Sequence, residues 1–62
     1  MALDQATKNT LVIAATEVIK AVNAIVKECS GEIATAGYLR EKTAKAASWL
    51  RIIEGHLEEV EQ

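Results

Sequence analysis

Cys29 and His56 are the only cysteine and the only histidine among the 62 residues. Together they could form the Cys–His pair of nucleophilic catalysis. A thiolate needs a base within hydrogen-bond reach to take its proton, so the two side chains would have to meet. Both lie in stretches that read as helix, with a chain reversal between them. At 1.5 Å rise per residue that separates them by on the order of 25–35 Å. Cys29 is therefore expected to be a small buried hydrophobe, and His56 a surface residue. One Cys and one His make no zinc ligand set. No Gly-rich phosphate loop, paired-carboxylate signature or zinc spacing occurs. The expectation is a protein that is not an enzyme, with no cofactor, no metal and no small-molecule substrate.

A second group has chemistry of a different kind. Tyr38, Lys42, Lys45, Trp49, Ile52 and His56 follow one another at spacings of three and four, which places them along one side of a helix. An aromatic pair with an aliphatic residue and flanking cations is the composition of a protein-binding hot spot. Tyr and Trp also tolerate a half-wet boundary, because each has a polar handle. Tyr38, Lys42, Lys45, Trp49 and Ile52 are the predicted partner-binding residues. The competing expectation for Trp49 and Ile52 is that they finish a small core. Leu3, Ala6 and Ile13 fall on a further side of the first helix and read as scattered surface apolars.

The elements that must position these residues are helical. Half the sequence is apolar, about a quarter is charged, and there is no proline; with Ala, Glu, Lys, Leu and Ile abundant, that is a helix-forming composition. The length allows a single domain, residues 1–62, near the lower limit for independent folding. A formal charge of −2 gives no default attraction to nucleic acid or an anionic membrane. A lone cysteine excludes an internal disulfide framework and fits a reducing compartment. No secretory signal is visible at the N-terminus. The run "LVIAATEVIKAVNAIV" is interrupted by Glu17 and Lys20 and is expected not to span a bilayer. The expected location is cytoplasmic.

Asp4 is a candidate cap for a first helix over about 4–29. Its apolar residues Leu11, Ala15, Val18, Val22, Ile25 and Cys29 alternate by four and three, a heptad seam. Val12, Ile19 and Val26 widen the apolar arc on one flank, and Ala14 and Ala21 on the other. Gly31 suits a left-handed exit from that helix. A loop over about 30–35 then leads to a second helix over about 36–60, with Ser30 or Thr35 as its cap. The second seam is expected at Ala36, Leu39, Thr43, Ala46, Leu50, Ile53, Leu57 and Val60. Two helices of matched length and a short link predict an antiparallel αα-hairpin.

A hairpin alone leaves the surplus arc of the first helix wet, so two copies are expected to pair into a four-helix bundle. Leu11, Val12, Val18, Ile19, Val22, Ile25, Val26, Leu50, Ile53 and Leu57 are its predicted dimer and core residues. Glu54, Glu58, Glu59 and Glu61 gather at the terminal end, and Lys20, Lys27, Arg40, Lys42 and Lys45 toward the loop against Glu28, Glu32 and Glu41, leaving the loop end mildly basic. No family motif is recognised. The functional expectation is a small protein-binding regulator or adaptor, as among phage and bacterial accessory proteins of inhibitor or anti-activator type. One alternative is a dimeric RNA- or DNA-binding hairpin. It is architecturally similar to the plasmid copy-number hairpin protein and would use Arg40, Lys42, Lys45 and Arg51 on phosphates. The other is a structural subunit of a helical assembly.

Overall fold

The computed structural model describes residues 2–61, and the side chains of residues 2–60; the sequence expectation for Glu61 lies outside the described side chains. The fold is an αα-hairpin of α1 (Gln5–Ser30) and α2 (Ala36–Glu61), 26 residues each. Asp4 is the N-cap of α1, its Oδ1 accepting from the Thr7 N–H at 2.7 Å. One orphan donor of the first turn is thereby satisfied. The two Thr7 interactions, side chain and backbone in that order, hold the Asp4 carboxyl below its ordinary value of 3.8.

The exit from α1 differs from the sequence expectation. Gly31 is extended, with φ −80° and ψ 173°, and no residue among those described has a positive φ. The helix ends by leaving straight, so the left-handed freedom of glycine is not used. The Gly31 N–H donates to the Glu28 carbonyl at 3.2 Å, and the Ser30 hydroxyl to the Val26 carbonyl at 2.8 Å. Ser30 thus turns back into α1 and does not cap α2. The Glu28 Oε2 accepts from the Thr35 N–H at 3.0 Å. This bond ties the far end of the link to the last turn of α1 and helps bring α2 back alongside it.

The seam between the helices is built on alanine. Ala14, Ala21 and Ala46 are the buried hydrophobic residues. Leu11, Val18, Ile25, Leu39, Ile53 and Val60 beside them are half-buried. The expected seam is corrected on one side of each helix: Ala15, Val22 and Cys29 of α1, and Ala36, Thr43, Leu50 and Leu57 of α2, are exposed. Their places are taken by Ala14 and Ala21 on α1 and by Lys42, Trp49 and His56 on α2, the last three half-buried. A methyl side chain lets two backbones approach along their whole length, which a stripe of branched residues prevents. Turning α2 toward Trp49 covers its largest side chain. Lys42 and His56 follow at heptad spacing and are half-buried beside it.

The hairpin measures 47 × 16 × 12 Å. Its accessible surface is 4833 Å², against roughly 3,900 Å² for a compact monomer of this mass. The difference of about 900 Å² reflects an elongated pair of helices with little core between them. By length and composition alone α1 is long and apolar enough to cross a membrane, a test that the core helix of a soluble protein also passes.

Candidate interaction faces

Two faces flank the alanine seam. On one, Glu17, Lys20 and Ala21 of α1 and Lys42 and Lys45 of α2 line a shallow cleft of about 190 Å³. Stepping outward from the seam, this is the side of Glu17 and Lys20 on α1, and of Lys42 and Lys45 on α2. The Lys20 Nζ lies 3.3 Å from Glu17 Oε1, an exposed pair one turn apart. Such a pair contributes about 0–1 kcal/mol. The Lys42 Nζ sits 5.3 Å from the centroid of the Tyr38 ring, a cation–π contact at the rim.

The predicted partner-binding strip is split by this geometry. Tyr38, Lys45 and Ile52 are exposed on this charged face. Lys42 and Trp49 lie one step inward, half-buried at the edge of the seam with His56. His56 is therefore a seam-edge residue and not a free surface one. Leu3 is half-buried as well, whereas Ala6 and Ile13 are exposed.

The opposite face is apolar. Stepping away from Ala14 and Ala21 in the other direction, α1 presents Val18 and Ile25, then Ala15, Val22 and Cys29, then Val12, Ile19 and Val26. On α2 the matching steps are Thr43, Leu50 and Leu57, then Arg40, Ala47 and Glu54. Val12, Ile19 and Val26 are 63%, 58% and 59% exposed, and Leu50 is 52% exposed. Large aliphatic residues thus line up along one side of both helices, all of them more exposed than the alanines between the helices. Cys29 is exposed on this face, which corrects its reading as a buried hydrophobe; the seam runs one position away from it.

Among the described residues there is no cluster of three or more His, Cys, Asp or Glu side chains placed to hold a metal ion. No buried side-chain polar atom among them lacks a partner. Cys29 and His56 stand toward opposite ends of the hairpin, on the apolar face and on the seam edge of the charged one.

The surplus flank of Val12, Ile19 and Val26 was legible in the sequence as a second heptad register beside the first; what sequence reasoning missed is that Val22, Cys29, Leu50 and Leu57 join it outside the seam. Searches against protein-family models, curated proteins and solved structures find no match to this chain.

Proposed function

We propose that this protein is a small non-enzymatic protein-binding module, a regulator or adaptor. It works by laying the apolar face of its hairpin against another apolar helical surface. The observation that carries this reading is the apolar face itself. Val12, Ile19, Val22, Val26, Leu50 and Leu57 are all exposed on it. A contiguous apolar surface of this size on a soluble protein marks an interaction site. Covering each of these side chains is worth about 1.5–3 kcal/mol relative to leaving it wet. Helix-to-helix packing then extends the bundle by further helices, the usual way an αα-hairpin completes its core.

Tyr38, Lys45 and Ile52 remain on the charged face, free for a regulated target, with Trp49 and Lys42 supporting them from the seam edge. A lipid surface suits the same apolar face less well. Interfacial helices draw on attraction to anionic headgroups, and the chain carries a formal charge of −2.

Light-scattering mass and far-ultraviolet helicity, followed together across a dilution series, test the reading. Association that protects helicity is the expected result. A species that stays monomeric and fully helical, and binds no hydrophobic dye, would show that the face needs no cover and would overturn it. So would partition onto neutral lipid vesicles without any protein association.

A further inference from the structure

Within that reading, we infer that the surface covering the apolar face is a second copy of this chain, docked antiparallel, with loop end against terminal end. The inference rests on a register that both helices share. Ser30 and Ala36 close the link on either side, so residues of α1 and α2 stand level in pairs counted outward from it. Ile19 is then level with Ala47. The exposed α1 stripe is nearly symmetric about Ile19, with Val12 and Val26 equally far on either side of it. The facing positions of α2 are symmetric about Ala47, with Arg40 seven residues before it and Glu54 seven residues after. A single twofold axis through the level of Ile19 and Ala47 serves both helices.

That axis makes definite contacts. Ile19 meets the partner's Ile19, and Val12 meets the partner's Val26. On α2, Leu50 falls against the partner's Thr43, large against small. Arg40 falls against the partner's Glu54, and by symmetry Glu54 against the partner's Arg40. An isologous interface requires this kind of self-complementarity. With loops at the same end, a twofold along the bundle brings α1 against the partner's α2. Arg40 then falls level with the partner's Val26, away from any carboxylate on the facing stripe, while Glu54 falls level with the partner's Val12, one turn from the partner's Lys8. Unpaired charge is disfavoured at an apolar interface. The gross charge follows the same rule, since the basic loop end of one copy lies beside the acidic terminal end of the other.

Arg40 and Glu54 of one chain are about 21 Å apart along α2, so they cannot pair within a molecule. A charge swap therefore reads the contact between copies alone. Arg40→Glu and Glu54→Arg should each weaken dimerisation about tenfold, as two symmetric pairs become two repulsions. The double variant R40E/E54R should return to within about twofold of the parent. Dissociation constants come from mass across a dilution series, with helicity followed on the same samples. Failure of the double variant to recover would overturn the antiparallel register while leaving the protein-binding reading intact. Oxidation of the native protein gives a second readout. Cys29 and the partner's Cys29 lie about 30 Å apart in this dimer, so a rapid disulfide within the dimer would overturn the arrangement. A monomer at every concentration whose face still binds a hydrophobic dye would exclude the second copy and point to a different protein partner. A monomer that binds no dye would remove both readings together.

Discussion

The two faces of the hairpin have nearly opposite characters, though the same two helices build both. One carries Glu17, Lys20, Lys42 and Lys45 around a shallow cleft, with Tyr38 and Ile52 beside them. The other carries Val12, Ile19, Val22, Val26, Leu50 and Leu57, all exposed. Between them runs a seam whose fully closed positions hold only alanine. Small residues have gone where backbones must approach closely, and large aliphatics stand where they can reach outward. A hairpin built in this way has little core of its own and a large reserve of apolar area. Its stability is therefore expected to depend on what covers the apolar face, and much less on the charged one.

Substitutions can break that contrast, and the largest effect should come from the apolar face. Ile19→Asp places a carboxylate at the centre of the proposed contact, twice per dimer, and should weaken association at least a hundredfold. Sedimentation equilibrium would register it, and an unchanged mass distribution would refute the importance of this face. Ala21→Leu tests the seam. Forcing a larger side chain between close backbones should cost about 1–3 kcal/mol, visible as a lower midpoint in denaturant. Were the midpoint unchanged, the helices would not be held as closely as the alanines imply.

Trp49→Ala sharpens the boundary between seam and charged face. Because Trp49 is half-buried against α1, the variant should lose about 2 kcal/mol of stability, roughly half the cost at a full core site. An effect on target binding alone, with stability untouched, would return Trp49 to the surface strip. Gly55→Ala lies on neither contact. A Cβ there meets nothing within 4 Å, and the helix should gain about 0.5–1 kcal/mol. A loss at this position would reveal a close neighbour on that side of α2.

The smallest effect is acid fraying of α1. The Asp4 carboxyl is held below 3.8 by Thr7. A depressed folded value means that the cap supports the helix above 3.8 and is lost as the pH falls through that lower folded value. Protection of the Thr7 amide relative to its intrinsic exchange rate should fall in that window, and Asp4→Asn should flatten the response.

Much of the fold was legible in the sequence. The cap at Asp4, the break near Gly31 and the period of the apolar residues specify two helices and a reversal, because these signals are local. Leu11, Val18, Ile25, Leu39, Ile53 and Val60 were read as seam residues, and they lie beside it. The other half of each seam was assigned by its four-and-three spacing to Val22 over Ala21 and to Leu50 over Trp49, the more hydropathic residue of each pair. Hydropathy counts the area a side chain could bury; it does not measure how near two helix axes can come.

The sequence by itself determined that the chain forms two amphipathic helices with more apolar surface than one neighbour can cover. Only the tertiary structure decided which stripe faces inward. That choice turns on close backbone approach, which favours alanine, and on the rotation of α2 that shelters Trp49. Both are properties of two helices packed together, and neither is written in the period of one helix alone.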